Sequence, residues 1–512
     1  MKLTYLSFVA ALLVHQGLAN ASALQPRRSS SILINPAPQP DLPSPSEART
    51  AATSAGLNLD DIQGDILVGM KKKRELFFFF GITDVATFKS KLGTDIHDRV
   101  TSTTKLIDVA SQPVTAVNIA FSHSGLTTLG VADADQLNDD NFKAGQLADA
   151  AFLGDPGTGN WVQGFAGTSV HGVLLLASDT QANIDDELKN IQSALGSSIT
   201  EIHRLQGAAR PGDQEGHEHF GYMDGISQPA VEGFDKSPKP GQFVAKPGAI
   251  LLSEDGDNVA RPSWAKSGSF LAFRQLKQRV PEFNKFVSDH AVSVPGLTQQ
   301  ENIDLTGARM VGRWKSGAPI DLAPLRDDPV LAKDDQRNNN FTFAHPELGS
   351  AFDLNTNQTF CPFTAHIAKS RPRAILSTPE VSIAHIMRAG IPYGPEVTAD
   401  EASAQKSSDD SSLERGLAFV AYQSVLNTGF TFIQHTWVDN VNFPPGRGTV
   451  GVDPIIGSTN SGPPGDAQRT ITGIDPTNFQ KPIVINEDFV VSRGGEYFFS
   501  PPISALITPL SK

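Results

Sequence analysis

The chain reads as an α+β protein built on ferredoxin-like order, and three observations predict it. Glu75-Leu76-Phe77-Phe78-Phe79-Phe80-Gly81 is a continuous apolar run of strand length, suited to a sheet covered on both faces. It opens a series: a helical stretch from Val85 to about Leu106, strands at Ala116–Phe121 and Val170–Ala177, an amphipathic helix at Asn183–Leu195 and a strand at Ile199–Leu205. The order β-α-β, then β-α-β, fits a ferredoxin-like unit carrying an insertion. The pattern recurs after Pro240, without any repeat of the sequence itself.

In that second stretch Ser269–Gln275 is a predicted strand, Pro281–Ala291 a helix, Leu417–Tyr422 a strand and Asn427–Trp437 a helix. Phe489-Val490-Val491 and Tyr497-Phe498-Phe499 are expected to pair around a turn at Gly494-Gly495. A helix is expected over Gln299–Arg313, where Arg309 and Arg313 read as surface charges, although one of them could instead neutralise an anionic group of a ligand. Another starts at Thr378-Pro379-Glu380, with Thr378 as N-cap, and Gly390 stops it. Val381, His385 and Arg388 then share a face, and Arg388 near the C-terminus suits the macrodipole. Pro319–Phe341 and Asp400–Ser412 read as long loops, either functional or solvated.

The N-terminus has a different character. Lys2 precedes an apolar run from Leu6 to Val14, too short for a membrane span, and Ala19-Asn20-Ala21 and Ala21-Ser22-Ala23 offer small-residue cleavage patterns. Residues 1–23 are therefore a predicted secretory signal peptide. Residues 24–56, rich in Ser, Pro and Ala and carrying Arg27-Arg28, read as a propeptide or disordered leader. A formal charge of -13 makes nucleic acid and anionic membranes poor partners. Cys361 is the only cysteine, so no disulfide forms within the chain. Asn340-Phe341-Thr342 and Asn357-Gln358-Thr359 are glycosylation sequons.

The most informative stretch is Phe220-Gly221-Tyr222-Met223-Asp224-Gly225-Ile226-Ser227-Gln228-Pro229. Gly221 and Gly225 allow positive φ or a close approach to a ligand, so Asp224 is either an Asp-Gly turn or a carboxylate aimed into a pocket. Two more blocks follow, Cys361-Pro362-Phe363-Thr364-Ala365-His366-Ile367 and Arg388-Ala389-Gly390-Ile391-Pro392-Tyr393-Gly394. In this order the three resemble the dye-decolorizing peroxidases, a family of haem enzymes. The likeness runs from about Asp60 to about Ser504.

The resemblance implies two ferredoxin-like halves, 57–238 with the G-x-x-D-G segment and 239–512 with the haem. It implies haem b, with His366 as axial ligand of the iron, although an isolated His on an apolar helix face is more often a packed core residue. Ala368 stands where the family usually has an Arg. An acidic partner on His366 Nδ1 stabilises high-valent iron, and Asp453 in Asp-Pro-Ile-Ile-Gly matches that role better than Asp439. Asp224 is then the base that moves a proton between the oxygens of hydrogen peroxide, and Arg388 the cation that steadies charge as the O–O bond breaks, leaving ferryl iron and a porphyrin radical. A carboxylate base predicts an acidic optimum. Leu417 and Phe419 resemble the pair shaping the distal pocket. Trp437 and Tyr393 match surface positions that pass electrons from bulky aromatic substrates such as dyes, phenolics and lignin-like compounds. The expected protein is a secreted monomer.

Two other classes compete. His203, His217 and His219 offer a His-x-His site for zinc, copper or non-haem iron, with no further ligand at a compelling spacing. A haem carrier would explain His366 but not Asp224 and Arg388 together.

Overall fold

Four successive phenylalanines favour extended backbone and deep burial, and Arg74–Ile82 forms strand β1, buried along almost its whole length. The computed structural model describes residues 43–70, 73–108, 111–167, 170–376, 384–458 and 469–512. β2 (Thr115–Phe121), β3 (Gly172–Ser178) and β4 (Ile199–Ala208) join β1 in the antiparallel order β2-β3-β1-β4. The second unit consists of β5 (Ser269–Gln278), β6 (Met387–Arg388), β7 (Ile391–Tyr393), β8 (Gly416–Gln423) and β9 (Val490–Ser500). Here β5 lies between β9 and β8, and β6 and β7 share the far edge of β8. Each unit thus has the strand order of a ferredoxin-like fold.

The units are not separate sheets. Phe121 of β2 pairs with Phe499 of β9, and Gly207 of β4 with Tyr393 of β7, which closes the strands into one barrel. Strand alternation then sends side chains to two compartments. Inside, rings from both units meet: Phe273 of β5 lies 5.1 Å from Phe77 and 4.8 Å from Phe79. Outside the first unit, Phe78, Phe80, Leu174 and Leu176 are covered by the helix Gln181–Leu195 through Ile184, Leu188, Ile191 and Leu195. Outside the second unit, Arg274, Leu276 and Gln278 of β5 and Leu417 and Phe419 of β8 face a cavity instead.

Several expectations need correction. The stretch 85–106 is not one helix: Val85–Lys91 runs into a π turn at Leu92–Ile96, and Thr103–Ile107 is a separate helix capped by Ser102. The Gly494-Gly495 turn is a bulge within the single strand β9, where a Cβ on Gly495 would meet the Phe273 carbonyl oxygen at 2.0 Å. Arg388 ends no helix; it lies on β6, and the expected helix start at 378–380 is outside the described residues. Residues 1–42 are also outside them, but the leader is not wholly unstructured. Pro45–Ala55 is a helix with a capping box at Ser44 and Glu47, and its Ala48 and Ala52 are buried in the core. Within the two expected loops lie short helices, Pro329–Ala332 and Ala399–Ala404; Glu401 of the latter pairs with buried Arg415 at 2.7 Å.

Candidate active site

The cavity outside the second unit has a volume of about 660 Å³, and Asp224, His366, Arg388, Leu417 and Phe419 all line it. Asp224 arrives on a tightly wound loop. Gly221 and Gly225 take positive φ, +93° and +77°, a region that β-carbon-bearing residues avoid. The half-buried Glu218 carboxylate accepts the N–H groups of Phe220 (2.9 Å) and Tyr222 (2.8 Å), and the Asp224 N–H donates to the Gly216 carbonyl at 3.0 Å. Arg388 Nη1 donates to Asp224 Oδ1 at 2.7 Å, and the Gly225 N–H to the same oxygen at 2.5 Å. Burial raises the Asp224 pKa, but the Arg388 charge and these hydrogen bonds outweigh it, so the net shift is downward.

His366 begins the short helix His366–Ser370. Its Nδ1 lies 2.7 Å from Asp453 Oδ2, and Asp453 Oδ1 accepts the N–H groups of Ile455 (2.7 Å) and Ile456 (3.1 Å). An Asp453 carboxylate so engaged is an acceptor, which assigns the Nδ1 proton to His366 and leaves Nε2 for a ligand. Burial opposes protonation of His366, yet the Asp453 carboxylate prevails and the pKa is raised. Asp439 is engaged by other groups. Its Oδ1 accepts from the Ser458 N–H at 2.9 Å and Gln434 Nε2 at 3.1 Å, and burial pushes its pKa up to about 7.

At another part of the wall stand Arg313, Arg371 and Arg373. The expectation of a surface charge fails for Arg313 and Arg309, which are 6 % and 0 % exposed. Arg309 is spent on carbonyl oxygens, those of Gln358, Thr359, Phe360 and Gly473. Arg313 bonds the Gly317 carbonyl (2.9 Å) and Asn338 Oδ1 (2.6 Å), and Arg373 the Asn339 and Phe341 carbonyls (3.0 and 2.5 Å). No carboxylate pairs with either among the described residues. Burial depresses both to about 9, still cationic at working pH. Buried guanidinium groups bonded only to neutral oxygens are a ready counter-charge for an anionic cofactor. Reading the sequence alone misses this cluster, although Arg371-Pro372-Arg373 directly follows the His366 helix.

Haem fits this donor set. One imidazole nitrogen is free, apolar side chains of Ile226, Val311, Leu417, Phe419, Ile433 and Ile455 line the walls, and buried Arg313 and half-buried Arg373 supply positive charge. Trp437 and Tyr393 are not surface residues; they are 2 % and 4 % exposed. Trp437 lies in the π-helical turn Ile433–Val438, stacked on Phe443 at 5.5 Å, and Tyr393 donates its hydroxyl to Glu414 Oε1 at 3.0 Å. Asn340 is exposed and lines the cavity, while half-buried Asn357 accepts the Thr359 N–H at 2.9 Å.

The His-x-His alternative does not hold. His203 Nε2 lies 3.0 Å from Gln275 Oε1 and His219 Nε2 2.8 Å from the Tyr393 carbonyl, and burial lowers the His219 pKa to about 4. Among the described residues no group of three His, Cys, Asp or Glu could hold a metal ion.

Comparison with known proteins agrees with this geometry. Residues 61–211 match the DyP dimeric alpha+beta barrel domain and 220–442 the C-terminal domain of Dyp-type peroxidases. Peroxidase 2 of Mycetinis scorodonius is 58% identical over the full length of both chains. A dye-decolorizing peroxidase of Auricularia auricula-judae is 53% identical, over 95% of this chain and 92% of its own. The crystal structure of a fungal DyP-type peroxidase from Auricularia auricula-judae superposes with a TM-score of 0.83, covering 89% of this chain and 99% of the other at 53% identity. Barrel and site define a haem peroxidase. The chain belongs to the dye-decolorizing peroxidase family.

Proposed function

We propose that this chain is a secreted, haem b-dependent peroxidase that consumes hydrogen peroxide and oxidises dyes, phenolics and lignin-like aromatic compounds in one-electron steps. The observation that carries the reading is one cavity lined both by His366, which Asp453 backs at Nδ1, and by the Asp224–Arg388 pair. A haem carrier would need only the first.

His366 Nε2 would hold the iron, and Arg313 and Arg373 would face the propionates. When bound, the haem supplies the iron on which peroxide is activated and the electrons that cleave its O–O bond. Asp224, kept ionised by Arg388, accepts a proton from one peroxide oxygen and returns it to the other. Arg388 donates hydrogen bonds to the negative charge that develops between them. Leu417 and Phe419 limit the space beside the pair, which admits peroxide and excludes large rings. Electrons from bulky substrates then cross protein: Trp437 belongs to the same apolar cluster as cavity-lining Ile433, and the Glu414 carboxylate can take the proton of Tyr393.

Secretion rests on the pattern of 1–23 and the two sequons. A barrel completed within one chain supports a monomer. The test is reconstitution with haem. Wild type is expected to gain a Soret band that peroxide alters, with dye turnover. A Soret band without turnover would leave a haem carrier, and no band at all would refute the reading.

A further inference from the structure

We propose that Gln228 is a positioning residue that locks the loop bearing Asp224 to the strand bearing Arg388. β6 is the terminal strand on its side of the sheet. Its inner edge meets β8: Arg388 lies opposite Ala421, and the following N–H, of Ala389, donates to the Val420 carbonyl at 2.9 Å. Alternation along an antiparallel strand turns the N–H and C=O of Arg388 to the outer edge, where no strand follows among the described residues. The Gln228 side chain takes that place. Its Oε1 accepts the Arg388 N–H at 3.1 Å, and its Nε2 donates to the Arg388 carbonyl at 2.5 Å.

One carboxamide thus does what a paired strand residue would do. It satisfies two backbone groups that would otherwise lack partners. It also couples two elements far apart in sequence. Gln228 follows Asp224 by four residues, and the intervening Ser227 carbonyl accepts from Arg388 Nη2 at 3.3 Å. The 224–228 segment therefore holds Arg388 at its main chain and at its head. Gln228 is itself tied back, since its carbonyl accepts from Gln242 Nε2 at 3.2 Å. β6 is only two residues long, so strand pairing alone leaves the Arg388 backbone weakly fixed. A displacement of about 1 Å in such a pair costs on the order of 10²-fold in rate.

The inference rests on the proposed role of Arg388, and a double-mutant cycle separates the two. The rate of the peroxide-induced Soret change is measured in haem-loaded wild type, Gln228→Met, Arg388→Leu and the double variant, with haem content and Tm recorded for each. Gln228→Met is expected to slow the reaction about 10- to 100-fold in the wild-type background and less than about 2-fold when Arg388 is already Leu. Equal losses in both backgrounds, or no loss in either, would overturn the positioning role. An unaltered rate in Arg388→Leu alone would instead refute the proposed function. Gln228→Glu keeps the acceptor and loses the donor; an intermediate rate is expected, and a wild-type rate in a folded, haem-loaded Gln228→Glu would contradict the two-point clamp.

Discussion

The two halves of the barrel share one strand order but treat their outer faces in opposite ways. In the first half that face is sealed: Phe78, Phe80, Leu174 and Leu176 pack under the apolar face of an amphipathic helix and are at most 1 % exposed. In the second half the corresponding face carries Arg274, Gln278, Leu417 and Phe419, and a cavity stands where the first half has its helix. Strand order alone therefore does not make a site. Substituting the covering layer does: His366 and Asp453 stand on the connections between strands of the second half, and Arg388 on its edge strand.

The largest expected effect comes from removing the residue proposed to hold the cofactor on the second face. His366→Ala should abolish the iron-ligand signature of the Soret spectrum and peroxide turnover together, while far-UV circular dichroism remains that of wild type. Next, the two faces can be exchanged as probes. Phe80→Ala, in the sealed face, should cost about 3–5 kcal/mol of stability, read from denaturant unfolding, with unchanged turnover per folded molecule. Leu417→Ala, in the open face, should cost under about 1.5 kcal/mol yet alter the rate with peroxide, because the side chain is only half-buried against the cavity. If both variants lose stability alike, the distinction between the faces fails.

A smaller effect lies in the buried acids. Burial raises Asp439 and Glu496 to about 7 from ordinary values of 3.8 and 4.5. The folded protein thus holds protons that the unfolded chain has released, and the associated stability is present in acid and lost as pH rises toward about 7. The Tm of Glu496→Gln relative to wild type should therefore rise between about pH 4 and about pH 7.

Much of this was legible in the sequence, for identifiable reasons. The apolar run at Phe77–Phe80 marked β1, and the blocks around Asp224, His366 and Arg388 marked the residues that converge on the cavity. Arg388 was misplaced on a helix because Val381, His385 and Arg388 fall at helical spacing, whereas a two-residue edge strand has no periodicity to read. The Gly494-Gly495 pair looked like a turn, since glycine marks turns and bulges alike. Arg313, Trp437 and Tyr393 were read as surface residues because their burial depends on partners remote in sequence, such as Asn338, Phe443 and Glu414. Gln228 gave no sign at all, since its role exists only where β6 lacks a neighbour.

The most direct test of the central claim is the rate at which peroxide alters the Soret band of the haem-loaded protein, followed from neutral pH into acid for wild type and Asp224→Asn. Arg388 holds the Asp224 carboxyl below its ordinary value of 3.8. The wild-type rate should therefore persist down to about pH 4 and fall only as Asp224 takes up a proton. Asp224→Asn should keep its Soret band and react about 10²- to 10⁴-fold more slowly across the range. A variant that reacts as fast as wild type would show that the proton is moved elsewhere, and the Asp224–Arg388 pair would lose its place in the mechanism.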